Sequence, residues 1–432
     1  MSAATWLTLA VFAATYLLIA TERVHRVTAA LGGAVVMLVI GATGPEHAFF
    51  SEVTGIDWNV IFLLLGMMLI VAVLKRTGLF EYVAIWAAKR AKGRPYRLMI
   101  LLILATAFLS AWLDNVTTVL LIAPVTIVVC RRLGVPVVPY LIAEVMACNI
   151  GGAATLIGDP PNIMIGSRAG LSFNDFLLHM APITTVLVLV FAVLARWLFR
   201  GAFTCDPRRA AEVMALRERD AIKDGRLLAV SGVVIVAVVV CFVLHTTLHL
   251  EPSVVALTGG LVLLAVSRLD VKEVVASVEW PTLAFFAGLF VMVGALVRTG
   301  VITEVGQAAA RATEGRLFGA SMAVLFGSVV PSAVIDNIPF VASTSPIVAE
   351  IVAASGGIEE AGVLWWSFAL GADLAGNATI IASSANVVVV GIADRAGHHI
   401  SFWQFSRYGL IVTAVTTVLA GAYVWLRYFA LA

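Results

Sequence analysis

The chain has 432 residues, 61% of them hydrophobic and only 12% charged, with a formal net charge of +2. Soluble domains carry about 25% charged residues, so a mean hydropathy of +1.02 over the whole length excludes all but a small soluble mass. No basic cluster is interleaved with aromatics, which removes nucleic acid as a partner, and Cys130, Cys148, Cys205 and Cys241 lack the CxxC or CxxxC spacing of a zinc site or disulfide framework, reading instead as small packing residues.

Residues 1–5 lack a basic n-region and a small-residue cleavage site, so 6–20 is expected to be a retained first helix. Charge then orients the chain, because Lys and Arg collect on the cytoplasmic side. Segment 22–26 holds Arg23 and Arg26; segment 44–57 has Glu46, Glu52 and Asp57 and no basic residue; segment 75–97 holds seven basic residues. The N-terminus is therefore expected outside, with 58–74 running inward. Residues 94–132 form two apolar runs broken by Asp114-Asn115 and basic at both ends. A re-entrant hairpin with the polar pair at its tip fits this pattern. Two full crossings would leave a turn with no exposed loop. A span then runs outward from 137 and 182–197 returns to a long polar segment, 200–226, with seven basic and five acidic residues, read as a cytoplasmic linker. Spans within 227–279, a span at 281–297, a second hairpin at 317–353 and two last spans complete the chain and leave the C-terminus outside. This arrangement puts 23 of the 28 Lys and Arg residues on the inner side or at inner helix ends.

The second half repeats the first. Trp58 matches Trp280, Gly66 matches Gly288, Arg76-Thr77-Gly78 matches Arg298-Thr299-Gly300, Asp114-Asn115 matches Asp336-Asn337 and Pro124 matches Pro346, all 222 residues apart. The offset drifts to 224 for Asn149 with Asp373, Gly152 with Gly376, Thr155 with Thr379 and Asn162 with Asn386, and Phe173 and Phe176 then match Phe402 and Phe405. One copy begins outside and the other inside. Inverted repeats of this kind mark secondary transporters, whose cargo sits near the midplane at discontinuous helices. The apolar residues at 80, 83, 84 and 87 share a helical face, and the matching stretch 302–309 is a weaker version; both read as surface helices at the membrane interface or as plain loop helices.

Polar groups reach membrane depth at the hairpin tips and in two broken spans. The run 149–162 carries Gly151-Gly152 and Asp159-Pro160-Pro161-Asn162. Two prolines cannot continue a helix interior, and an opened backbone survives in lipid only where protein or a water-filled cavity surrounds it. The run 373–386 lacks the prolines and keeps Asp373, Gly376, Asn377, Thr379, Ser383, Ser384 and Asn386. Asp114, Glu144, Asp159, Asp336 and Asp373 have no Lys or Arg beside them, Arg168 being the nearest in sequence. An ionisable group at such depth costs about 3 kcal/mol or more unless paired or protonated, so these acids imply bound protons or cations; the alternative is that an Asp caps the half-helix after it. Glu144 has no match in the second copy. His179, His245, His249, His398 and His399 sit near helix ends and read as interfacial. No nucleophile–base pair or metal motif supports an enzyme, and no cofactor is expected.

The run from Asn149 to Asn162, with Leu113-Asp114-Asn115-Val116-Thr117-Thr118 and Ile335-Asp336-Asn337-Ile338-Pro339, resembles the ion transporter superfamily. The similarity is to its branch of arsenite permeases, D-type sodium/proton antiporters and the P protein, a group with citrate-transporter-like domains, and it covers nearly the whole chain. The resemblance implies an all-α polytopic protein of the cell membrane. It would have two inverted repeats, about ten crossings and two re-entrant hairpins, and would work as an elevator within a homodimer. The expected divisions are scaffold helices at 1–57, a first repeat at 58–199 (hairpin 94–132, broken helix 137–170), the linker 200–226, scaffold helices at 227–279 and a second repeat at 280–432 (hairpin 317–353, broken helix 363–395). Substrate or ion would meet Asp114, Asn115, Thr117, Thr118, Asn149, Gly151, Gly152, Thr155, Asp159, Asn162, Asp336, Asn337, Asp373, Gly376, Asn377, Thr379, Ser383, Ser384 and Asn386. Sodium, if it is the coupling ion, would bind near Asp114, Asp159, Asp336 and Asp373. Sodium/dicarboxylate members carry Ser-Asn-Thr at each tip, whereas the tips here read Asp114-Asn115-Val116 and Asp336-Asn337-Ile338, which favours proton coupling. The expected function is proton-coupled efflux of arsenite or a related inorganic ion or metalloid. The alternatives are sodium/proton antiport, cation-coupled citrate or carboxylate transport, and a channel-like anion pathway.

Overall fold

The computed structural model describes residues 3–21, 23–51, 53–203, 218–312 and 316–431; within them the chain is helical and contains no strand. Cys205 and the greater part of the expected linker lie outside the described residues. The first half holds α1 (Ala3–Ala20), α2 (Arg26–Val39), α3 (Pro45–Phe50), α4 (Trp58–Lys75), α5 (Leu79–Arg90), α6 (Pro95–Ser110), α7 (Asn115–Leu133), α8 (Val137–Gly152), α9 (Pro160–Ala169), α10 (Phe173–His179) and α11 (Ala181–Leu198). The second holds α12 (Gly225–Leu248), α13 (Pro252–Ser267), α14 (Val271–Ala276), α15 (Trp280–Arg298), α16 (Val301–Ala312), α17 (Leu317–Val334), α18 (Asn337–Ala354), α19 (Ile358–Ala361), α20 (Val363–Ala375), α21 (Ser384–Arg395) and α22 (Phe402–Trp425). Among the described residues, eight helices are long and apolar enough to cross a membrane and six shorter apolar helices accompany them. The chain is a multi-pass membrane protein.

Local sequence explains where the helices stop. Asp114 accepts from the Thr117 amide and caps α7, and Asp336 accepts from the Ile338 amide and caps α18. Each expected hairpin is thus two helices meeting at a capped polar pair, α6 with α7 and α17 with α18. Each expected broken span is likewise two helices, α8 with α9 across 153–159 and α20 with α21 across 376–383. Pro160 and Pro161 open α9, the one part of a helix that lacks internal N–H partners.

The correspondence between the halves reaches further back than Trp58. Helices α1, α2 and α3 stand ahead of the long helix α4 as α12, α13 and α14 stand ahead of α15, and the two halves pack together through them. Gly66 of α4 lies against the backbone of Ala256 in α13, and Gly288 of α15 lies against the backbone of Ala30 in α2, where an added Cβ would stand 2.8 Å from the Ala30 carbonyl carbon. Trp58 donates its indole N–H to Phe49 O at 2.9 Å, and Trp280 donates to Val275 O at 3.0 Å, so both long helices are anchored in the same way. Gly78 (φ 81°) and Gly300 (φ 78°) take the left-handed turn into α5 and α16. The apolar stripe of α5 faces the protein: Phe80, Ala84, Ala87 and Ala88 are buried and α5 packs on α7; α16 packs on α18 with Val301 and Ile302 buried, while its Val305 is exposed.

Gly66→Val and Gly288→Val place branched side chains against a neighbouring backbone that cannot retreat. Each is expected to destabilise the protein by about 1–3 kcal/mol, read as a lower melting midpoint of the detergent-solubilised chain. Gly232→Ala, with no atom within 4 Å of the added carbon, should leave the midpoint unchanged or slightly raised.

Candidate functional site

The hairpin tips and helix breaks meet in the interior. Asp159 occupies the N-cap position of α9 but makes no capping bond. Its carboxylate instead accepts from Asn115 Nδ2 at 2.6 Å and from Asn337 Nδ2 at 3.4 Å, one asparagine from each tip. Asp114, Asp336 and Asp373 all lie within electrostatic range of it. The N-termini of α7, α18, α9 and α21 are therefore gathered on one polar centre, each carrying a partial positive charge.

The opened backbone is closed by asparagines. Asn162 Nδ2 donates to Thr155 O at 3.1 Å and Gly152 O at 3.4 Å. Asn386 Nδ2 does the same for Thr379 O at 2.8 Å and Gly376 O at 2.7 Å. The hydroxyls repeat as well: Thr155 Oγ1 donates to Ala111 O at 2.5 Å, and Thr379 Oγ1 donates to Ala333 O at 2.6 Å. Asn149 joins the halves. Its Nδ2 donates to Gly376 O at 3.2 Å and to Asn377 Oδ1 and Asn386 Oδ1 at 3.1 Å each, while its Oδ1 accepts from Ser383 Oγ at 3.3 Å.

The four aspartates differ. Asp114 spends both oxygens on its own helix, accepting from Thr117 N at 2.9 Å and Thr117 Oγ1 at 2.5 Å, and Asp336 spends one on Ile338 N at 3.1 Å. The capping role holds for these two. It does not hold for Asp159 or for Asp373, which lies inside α20, fully buried, with neither carboxylate oxygen hydrogen-bonded. Asn162 approaches Asp373 without completing a hydrogen bond. Thr118 Oγ1, Asn162 Oδ1 and Asn377 Nδ2 are further buried polar atoms without partners. Gly152 lies against the Asn115 side chain and Gly151 against the Ala107 backbone, so both serve close packing. Glu144 is buried away from the tips, where Thr126 Oγ1 donates to it at 2.6 Å.

Three participants escaped the sequence reading. Asp336 is not free of basic residues: Arg26 Nη1 lies 3.6 Å from its Oδ2 and donates to Ser384 Oγ at 2.5 Å, and Ser384 Oγ donates to Asp336 Oδ2 at 2.5 Å. Arg168, the nearest basic residue in sequence, donates to Val53 O. Ser110 donates to Asn115 Oδ1, and the Cys148 thiol donates to Ser110 Oγ at 3.2 Å, so a cysteine read as packing supports the first tip. Among the described residues no group of three His, Cys, Asp or Glu side chains is arranged to hold a metal ion.

This fold and site define a membrane transporter. The citrate transporter family profile matches residues 16–371. The chain is 55% identical to the transporter Rv2684 of Mycobacterium tuberculosis over 98% of each chain, and 52% identical to a 46 kDa membrane protein of Mycobacterium leprae over 97% of each. It is 33% identical to the human P protein over 96% of its own length and 59% of that protein. Its fold is similar to that of the Alcanivorax borkumensis YdaH transporter (TM-score 0.60, 16% identity, 95% of this chain and 98% of that one). It is also similar to that of Neisseria gonorrhoeae MtrF, described as illuminating a class of antimetabolite efflux pumps (TM-score 0.64, 14% identity, 98% of each). The chain belongs to the citrate transporter family, within the ion transporter superfamily.

Asn149→Asp keeps the shape and replaces the donor with an acceptor facing Gly376 O, Asn377 Oδ1 and Asn386 Oδ1. A loss of about 1–3 kcal/mol or more is expected, measured as a fall in melting midpoint larger than that of Asn174→Asp, whose amide bonds an exposed carbonyl.

Proposed function

We propose that the protein is a proton-coupled secondary transporter that exports a small inorganic ion or metalloid, with arsenite as the expected cargo. The observation that carries this is Asp373, a fully buried carboxyl with no donor on either oxygen, beside the donor-held Asp159. Burying an unpaired ionised carboxylate costs several kcal/mol, and two such groups in one site cannot both stay charged without a bound cation or proton. Loading and unloading a proton on this pair couples the ion gradient to movement. Arsenous acid is neutral at pH 7 and needs no cationic anchor; its hydroxyls would pair with Asn377, Thr118 and Asn162, which have unpartnered polar atoms.

Movement would follow an elevator scheme, with α6–α9 and α17–α21 sliding against a scaffold that contains α2, α4, α13 and α15. The bonds of Asn149 to Asn377 and Asn386, and of Asn337 to Asp159, support treating the two hairpins and two broken helices as one moving body. In this reading the repeats are inverted, the hairpins re-enter from opposite faces and both termini lie outside. A second reading is carriage of citrate or another carboxylate with compensating cations. The family match and the four gathered helix N-termini, which favour negative charge, support it.

Everted vesicles test these readings. With a respiration-driven proton gradient, arsenite is expected to accumulate and to leak out on addition of a protonophore. Asp373→Asn should abolish the gradient-driven accumulation. Proton-driven accumulation that survives in Asp373→Asn would overturn the coupling role. Sodium-induced recovery of a quenched pH dye would identify a sodium/proton antiporter, and cation-dependent citrate uptake would identify the carboxylate carrier.

A further inference from the structure

Arg26 stands where the sequence offers no reason to expect a site residue. It is the first residue of α2, in the part of the chain that packs against α15, and its Cζ lies 5.5 Å from the Phe285 ring centre. Its guanidinium reaches the tip of the second hairpin and holds Asp336 both directly and through Ser384. A cavity of about 340 Å³ opens at this contact, lined by His25, Arg26, Ile335, Asp336, Ser384 and Val388 among others. The Arg26 side chain is 37% exposed and that of Asp336 17%, so both face the cavity.

The first hairpin has no such arrangement. Asp114, the sequence match of Asp336, is engaged by Thr117 and takes part in no ion pair among the described residues. Helix α13, the counterpart of α2, opens with Pro252 where α2 opens with Arg26 and is preceded by the acidic Glu251. The tether therefore belongs to one copy of the repeat only. The charged or titratable groups around it are Asp336 on α18, Asp159 at the start of α9, His25 before α2 and Glu279 at the start of α15, whose field reaches both Arg26 and Asp114.

We infer that Arg26 is a tethered counter-cation: it neutralises Asp336 while no coupling cation is bound, and it is displaced when a proton or other cation arriving through the cavity takes its place. The inference rests on the reading that the acid cluster receives the coupling cation, and it names the acid at which uptake begins. A guanidinium suits this role because it stays charged at every working pH and presents a planar fork to a carboxylate. The ion pair spans two bodies, α2 on one side and the hairpin tip on the other, so releasing it frees the tip to move as cation binds. With Arg26 in place the empty carrier holds Asp336 charged without carrying a proton. Without Arg26, Asp336 needs an external cation at every step.

The test needs no knowledge of the cargo. Melting midpoints of the purified full-length protein are measured from about pH 8 to about pH 6, in sodium chloride and in choline chloride, for the native chain, Arg26→Gln, Arg26→Lys, Asp336→Asn and the double variant. In Arg26→Gln the uncompensated carboxylate should make stability depend on an external cation. Lowering the pH across that range, or replacing choline by sodium, should raise its midpoint by about 3 °C more than in the native protein. Arg26→Lys should restore most of the native response, and Asp336→Asn should abolish the effect of Arg26→Gln. The inference is overturned if Arg26→Gln responds to pH and sodium like the native chain, or if its altered response persists in the Asp336→Asn background. The coupling role of Asp373 is read separately, in vesicles, so the two ideas can fail independently.

Discussion

The Asp159 carboxylate, held by Asn115 and Asn337, is the interaction around which the rest of the molecule is arranged. A carboxylate in an apolar interior needs donors, and here they come from two hairpins whose tips are 222 residues apart in sequence. Both hairpins must therefore end at the same depth, at the point where α8 gives way to α9. Breaking that helix exposes carbonyls that lipid cannot satisfy, and Asn162 and Asn386 close them in matching fashion. The polar centre and the broken backbone thus depend on each other. Neither would be tolerated alone.

Four aspartates look alike in a chain of apolar residues, and their surroundings make them different. Asp114 is occupied with its own helix, Asp336 with its helix and an arginine, and Asp159 with two amides, while neither Asp373 oxygen completes a hydrogen bond. A site with four equivalent buried charges would repel itself apart. Here the compensation is graded from one carboxylate to the next.

The two halves share their packing and differ in their chemistry. Gly66 and Gly288 make the same backbone-to-backbone approach, Trp58 and Trp280 the same anchoring bond, and Thr155 and Thr379 the same hydroxyl bridge. The differences fall at the tips and breaks: Pro160 and Pro161 in one copy, Arg26 against Asp336 in the other. The shared contacts keep the long helices in register, whereas the departures set which partners each carboxylate has.

The sequence by itself marked the apolar helices, the polar pairs at which α7 and α18 begin and the polar runs at which α8 and α20 end. These are local features: apolar length, a capping aspartate, paired prolines and matched polar pairs at a constant spacing. Asn149, Asn377 and Asn386 from the two breaks lie against one another, and Asp159 lies against Asn115 and Asn337 of the two tips. Only the tertiary structure decided what each acid touches. Arg26 is 310 residues from Asp336, and as the sole basic residue at the start of an apolar helix it reads as a marker of orientation. Cys148 reads as filler until α6 and α7 bring Ser110 and Asn115 against it. Charge compensation acts through space and leaves no periodic trace along the chain. The partner of a buried carboxylate is therefore known only once the helices are packed.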